Sequence, residues 1–173
     1  MPIESFASQN CSVARPLAVL GERWTILVLR EVFMGSRRFD EIQDELGVAS
    51  NVLSQRLATL VDEGILERRR YSEHTERFEY RPTQKGRELL PVVLVLLRWG
   101  DRHTTGRAGP PLELVHTKCD HAFHAVSTCS HCGEEVVYGE VEPRPGPGAT
   151  KKQGERYDRL AERREQSRRR RAA

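Results

Sequence analysis

Two groups of residues have types and spacings that could do chemistry. The first combines sulfur and imidazole. Cys129-Ser130-His131-Cys132-Gly133 forms a Cys-x-x-Cys-Gly knuckle, and His116-x-x-Cys119 supplies a second pair at the same spacing. Together, His116, Cys119, Cys129 and Cys132 make a Cys₃His set able to close a tetrahedral zinc shell. Such a site leaves no position for water, so a metal there would be structural rather than catalytic. His121 and His124 are alternatives to His116 as the fourth ligand. Two further readings stand beside zinc: metal-free packing, and redox chemistry at Cys129 and Cys132. No thioredoxin-like βαβ pattern surrounds the knuckle to support the redox reading.

Cys11 stands apart from that set. A reactive thiol needs exposure and a lowered pKa, and Arg15, one helical turn on, favours the thiolate. The competing reading is an inert cysteine used for packing. With no cysteine nearby in sequence, any disulfide it forms is expected to join two subunits.

The second group is a polar helix face. In Ser50-Asn51-Val52-Leu53-Ser54-Gln55-Arg56-Leu57-Ala58-Thr59-Leu60-Val61, the apolar residues Leu53, Leu57, Leu60 and Val61 recur at helical spacing. Asn51, Gln55 and Thr59 point the other way, and Ser54 and Arg56 flank the stripe. Amides, hydroxyls and one guanidinium without acids suit base edges in a major groove better than open solvent. Ser50 is read as the N-cap and Gly64 as the residue that ends the helix.

The neighbouring elements must position that face. Arg37 to Gly47 is a short helix pattern with Phe39, Ile42 and Leu46 as its stripe. Three residues (Val48, Ala49, Ser50) then lead into the polar helix, making a helix-turn-helix. Downstream, Ile65–Tyr71 and Arg77–Arg81 read as strands around the polar turn Ser72 to Glu76. That hairpin is a wing, with Arg69, Arg70 and Arg77 as phosphate contacts and Arg38 added from the first helix.

Residues 11 to 103 resemble the HxlR-type winged-helix transcriptional regulators, relatives of the MarR group. The resemblance rests on Cys11-Ser12-Val13, Leu20-Gly21-Glu22-Arg23-Trp24-Thr25-Ile26-Leu27-Val28-Leu29-Arg30, Arg38-Phe39-Asp40-Glu41-Ile42, Leu53-Ser54-Gln55-Arg56-Leu57, Leu60-Val61-Asp62-Glu63-Gly64, and Tyr80 with Thr83 and Gly86. Pro16, Pro82 and the Gly47-Val48-Ala49 turn depart from the family pattern. The resemblance implies a homodimer on a pseudopalindromic operator. It also implies that a cysteine at the position of Cys11 senses oxidants or electrophiles in some members. Long members often carry a Cys/His extension, not always with metal.

Thr83 to His103 is the expected dimer element, with Thr83 as an N-cap. Its run from Leu89 to Trp99 is apolar on nearly every side, so it needs cover, which a partner's equivalent helix would supply. Pro91 should kink it or mark its effective start.

Composition bounds the rest. At 173 residues, 38% hydrophobic and a mean hydropathy of −0.60, the chain has a core but also segments outside it. Charge is unevenly spread: residues 143–173 hold 11 Lys/Arg against 4 Asp/Glu, and the remainder holds 17 against 21. The body is mildly acidic, so DNA contacts must come from local basic clusters. The tail opens on Pro143-Arg144-Pro145-Gly146-Pro147-Gly148 and is expected to be disordered, or transiently helical over 153–171, adding sequence-independent phosphate affinity.

No glycine-rich phosphate loop, nucleophile elbow or catalytic carboxylate pair is present, so an enzyme is not expected. No apolar run reaches membrane-spanning length, and the start carries no signal-peptide pattern, so a cytoplasmic protein without membrane contact is expected. The expected fold is mainly α with a small β-hairpin: a winged helix-turn-helix plus a small Cys/His-rich C-terminal extension. Its parts are an arm (1–10), the DNA-binding and dimerisation domain (11–106), the Cys/His extension (107–142) and a basic tail (143–173). The expected partners are double-stranded DNA and a second copy of the chain. No cofactor is required beyond the structural zinc reading. The alternative is a protein- or RNA-binding module working through the Cys/His extension.

Overall fold

The computed structural model describes residues 6–71 and 77–172. In chain order the elements are α1 (Ala14–Leu20), α2 (Thr25–Met34), α3 (Phe39–Leu46), α4 (Ser50–Asp62), β1 (Leu66–Arg70), β2 (Phe78–Pro82), α5 (Gln84–Arg87), α6 (Leu90–His103), β3 (Leu114–His116), β4 (His121–Phe123) and α7 (Lys151–Ala172). Among them, no helix is long and apolar enough to cross a membrane.

The core forms where α2, α3, α4 and the start of β1 converge. Val28, Leu29 and Val32 come from α2, Ile42 from α3, Leu53, Leu57 and Leu60 from α4, Ile65 from the bend after α4, and Leu66 from the wing's first strand. The three α4 leucines are at most 1% exposed. Each contributes about 1.5–3 kcal/mol by leaving water, an upper figure because the unfolded chain already hides some apolar surface.

The turn between α3 and α4 is built by three devices. Gly47 ends α3 at φ +59, a left-handed conformation that glycine adopts without Cβ strain. Val48 drops into the core at 5% exposure. Gln43 Nε2 then donates to Val48 O at 3.3 Å and to Ser50 Oγ at 2.7 Å, tying the two helices across the turn. The N-cap of α4 is Ala49, not Ser50: Ser50 is the first helical residue, and its hydroxyl is taken up by Gln43.

At the other end of α4, Gly64 (φ +64) follows the C-cap Glu63. Gly64 N donates to Val61 O at 2.9 Å and Ile65 N to Leu60 O at 2.9 Å. This pair of bonds is a Schellman closure, and it aims the chain straight into β1.

The wing pairs β1 and β2 antiparallel, with Leu66 opposite Pro82, Arg68 opposite Tyr80 and Arg70 opposite Phe78. Its strands run one residue off the sequence-based bounds at all four ends, and the expected turn Ser72 to Glu76 lies outside the described residues. An isolated antiparallel backbone bridge joins Arg38 to Glu79, and Tyr80 N donates to Arg37 O at 2.7 Å, so the residues leading into α3 are tied to the two-stranded wing.

Thr83 to His103 is two helices rather than one, interrupted at Glu88-Leu89. Thr83 caps the first, its Oγ1 accepting from Gly86 N at 3.1 Å and donating to Gly64 O at 2.7 Å. Pro91 falls in the first turn of α6, where a missing N–H costs nothing.

The basic tail, expected to be disordered or transiently helical over 153–171, is a 22-residue helix over Lys151–Ala172. Its start is fixed by a capping box, with Gln153 N on Thr150 Oγ1 at 3.3 Å and Thr150 N on Gln153 Oε1 at 2.9 Å. Asn10 then clasps it, donating through Nδ2 to Gly148 O and to Gln153 Oε1, both at 2.8 Å.

Candidate nucleic-acid interface

The polar face of α4 is presented by its buried leucines. With Leu53, Leu57 and Leu60 turned inward, helical period places Asn51, Ser54 and Gln55 outward, and all three are exposed. Thr59 is half-buried, and its hydroxyl donates to Gln55 O at 3.0 Å within the helix.

Arg56 does not join that face. Its side chain is 13% exposed, and Nη1 donates to Glu22 Oε2 at 3.1 Å. Nη2 reaches Gln55 Oε1 at 3.0 Å, and Nε is buried without a partner among the described residues. The guanidinium therefore links the loop before α2 to α4. Glu22 carried no sequence signal as its partner, because the two positions lie 34 residues apart.

The wing divides its charges between two faces. On one face Arg69 Nη2 meets Glu67 Oε1 at 2.7 Å and Arg81 Nε meets Glu79 Oε1 at 2.7 Å. These are same-strand pairs at the two-residue period of a strand. On the other face Arg68 lies 3.5 Å over the Phe78 ring, a cation–π contact. Arg69, Arg70 and Arg77 are all exposed.

Arg38, Arg68, Tyr71 and Arg77 line one cavity of about 430 Å³ together with Asp40 and the aromatic rings of Phe39, Phe78 and Tyr80. Glu41 and Asp40 raise the Arg38 pKa, in that order, so the guanidinium is firmly cationic. Glu41 is held below the ordinary carboxylate range, chiefly by the Arg38 backbone N–H and then by that of Arg37. From sequence Arg68 belongs to the basic run of the wing's first strand without being assigned a contact, and Tyr71 was missed. Register alone would have found Arg68, because it places Arg68 on the face of Phe78 and Tyr80.

Cys11 is exposed, just ahead of α1. Its thiol pKa is lowered, first by the backbone N–H of Ala14, next by that of Val13, and to a smaller degree by the Arg15 charge. Arg15 is itself held against Gln9 O at 3.0 Å and Asn10 Oδ1 at 3.1 Å. Arg144, Arg156 and Tyr157 share with Cys11 the lining of a cavity of about 770 Å³.

The Cys/His residues gather as two pairs. His116 Nδ1 lies 3.3 Å from Cys119 Sγ. The Cys129 thiol is lowered by the backbone N–H groups of Cys132 and His131 and by the Cys132 side chain, as expected of a knuckle. Among the described residues, no group of three or more His, Cys, Asp or Glu side chains comes together to hold a metal. The donors suit zinc chemically, but the four-ligand arrangement expected from spacing is not assembled. His121 is turned instead onto the Cys119 carbonyl.

On α6 only Val93 is buried, while Val92, Leu96 and Trp99 remain 51–57% exposed along one side. The expectation that this helix is apolar all round thus resolves into one buried residue and an uncovered apolar row.

Comparison with known proteins places these features. Residues 19–107 match the model of the HxlR-like helix-turn-helix family. An uncharacterized HTH-type transcriptional regulator of Mycobacterium tuberculosis is 45% identical over 137 residues, covering 79% of this chain and 87% of the relative. Since only 107 residues precede Ala108, at least 30 of those 137 lie beyond the family region, in the Cys/His extension or the tail. The crystal structure of PA1607, described as a candidate transcription factor, superposes with a TM-score of 0.73 at 31% identity, covering 83% of this chain and 99% of that one. The redox regulator HypR in its oxidized form superposes with a TM-score of 0.52 at 29% identity, covering 56% of this chain and all of that one. The chain belongs to the HxlR-like helix-turn-helix family and is a winged-helix transcriptional regulator.

Proposed function

We propose that this chain acts as a homodimer reading a pseudopalindromic operator, and that oxidation or alkylation of Cys11 alters its hold on DNA. The observation that carries the reading is the exposed, uncharged row Asn51, Ser54 and Gln55, backed by three fully buried leucines. Amide and hydroxyl groups on a rigid helix suit bidentate and single hydrogen bonds to base edges. Arg38, Arg69, Arg70 and Arg77 serve phosphates, with Arg68 and Tyr71 beside them in the wing cavity. Thr59 borders the row, and Arg56 positions α4 through Glu22 rather than touching bases.

The apolar row of α6 supports the dimer. Val92, Leu96 and Trp99 recur at i, i+4 and i+7, the geometry by which one helix packs along another. A two-fold protein then fits a two-fold operator. Exposure of Cys11 and its lowered pKa support the thiol response, as does the likeness to a protein named a redox regulator. A zinc ion in the extension would draw His116 and Cys119 toward Cys129 and Cys132 and serve structure alone.

Selection of bound duplexes from a random pool tests the reading. The full chain should enrich an inverted repeat, and Gln55→Ala should lose that preference while keeping weak binding to any duplex. Enrichment of no sequence, or of the same sequence by Gln55→Ala, would remove α4 from base recognition.

A further inference from the structure

The C-terminal helix sorts its side chains into three stripes. At 100° per residue, Lys152, Arg156, Arg159, Arg163 and Arg170 fall within about 60° of one another around the axis. Glu155, Asp158, Glu162 and Glu165 fall within about 80° on the opposite flank. Between them lies the packing stripe, where Gln153, Tyr157 and Leu160 are half-buried. A helix that was merely solvated would intermix its signs, since alternating i, i+4 pairs stabilise it. Here all four acids fall on one flank, where Lys151 and Arg169 join them and Arg169 pairs with Glu165, while the five basic residues of the other flank are all exposed and no acid interrupts them.

We infer that the basic flank of α7 is a second, sequence-independent DNA contact, laid along the phosphates of duplex flanking the operator. This inference rests on the DNA-binding reading above. The stripe from Lys152 to Arg170 runs about 27 Å at 1.5 Å per residue, roughly four-fifths of a turn of duplex. Its cations recur roughly every helical turn, a spacing that follows a phosphate backbone.

Three features make this a docked element rather than a loose tail. The Thr150–Gln153 capping box fixes where the helix begins. The Asn10 clasp, completed by Gln153 Nε2 on Asn10 O at 2.6 Å, holds that beginning against the N-terminal arm. Arg164 Nη1 adds a tie to Val141 O at 3.1 Å.

The test uses the full chain and a variant carrying Lys152→Ala, Arg156→Ala, Arg159→Ala and Arg163→Ala. Alanine preserves helix propensity, and circular dichroism checks that the helix persists. Binding to a random-sequence duplex is measured across salt concentration. The slope of log affinity against log salt should fall by about 2–4, near 0.9 for each lost phosphate contact. Lysine at all four positions should restore it. An unchanged slope in the alanine variant overturns the inference. So does an unchanged slope accompanied by a shift in sedimentation, which would assign the flank to a second copy of the chain. If the full chain selects no operator yet shows the slope difference, the operator reading fails and the α7 contact stands.

Discussion

Arg56, in the middle of α4, is turned away from the exposed polar row of Asn51, Ser54 and Gln55 and bonded to Glu22 at 3.1 Å across 34 residues of sequence. That places a cation where a base contact was expected and gives it a different task. Glu22 lies in the loop that leads from α1 into α2, so the pair fixes the pose of α4 against the N-terminal part of the domain. If the pair positions the helix, Glu22→Gln should weaken specific DNA binding about as much as Arg56→Gln. If Arg56 instead touched bases, freeing it with Glu22→Gln would leave binding unchanged or tighter. Arg56→Ala should also cost about 1–3 kcal/mol of stability in urea unfolding, since the Glu22 carboxylate loses its partner.

Gly86 marks the seam between the wing and the C-terminal helices. A Cβ there would lie 2.1 Å from the backbone oxygen of Ile65, which also accepts from Thr83 N at 3.1 Å. Backbone cannot yield as a flexible side chain does. Gly86→Ala should therefore destabilise by about 1–3 kcal/mol or more, read as a lowered urea midpoint. A wild-type midpoint would show that the α5 seam is looser than drawn.

Cys11 should alkylate faster than Cys119 at neutral pH, with a rate midpoint below that of an ordinary cysteine. The backbone N–H groups of Ala14 and Val13 outrank Arg15 as causes. Arg15→Ala should accordingly move the midpoint up only slightly. A large upward move would make Arg15, and not the turn into α1, the activating group. Rates of iodoacetamide labelling across pH, read residue by residue by mass spectrometry, decide between them.

Trp99 is 57% exposed on α6 and stacks obliquely on His103 at 5.1 Å between ring centroids. In the proposed dimer it is an interface anchor, and Trp99→Glu should shift sedimentation from dimer to monomer at micromolar concentration. A monomer in the unaltered chain, or a dimer indifferent to Trp99→Glu, would move the interface elsewhere.

The parts of this molecule that sequence made legible are those governed by local period and local conformation. The α4 stripe, the Gly47 and Gly64 stops and the wing's approximate bounds all follow from spacing and from φ requirements that a few residues state by themselves. What escaped are relationships closed across the chain. Nothing near Arg56 points to Glu22, and nothing near the tail points to Asn10, whose bonds to Gly148 and Gln153 help turn an expected disordered segment into α7. The Cys/His set shows the same limit from the other side. Spacing identified two competent pairs, but whether four ligands converge is set by the path between Cys119 and Cys129, which spacing does not describe. In Thr83 to His103 the signal for the break at Glu88-Leu89 was Pro91, which stands in the first turn of α6 and so marks its start, as its fixed φ and missing N–H require.

The central claim is that Asn51, Ser54 and Gln55 read sequence while the wing holds phosphates. The most direct measurement compares Gln55→Ala with Arg77→Ala on a selected operator and on a random duplex, each across salt concentration. The account predicts that Gln55→Ala loses about 1–3 kcal/mol on the operator alone and leaves the salt slope intact. It predicts that Arg77→Ala weakens both duplexes alike and lowers the slope by about 1. Equal losses on both duplexes from Gln55→Ala, or an operator-only loss from Arg77→Ala, would contradict it.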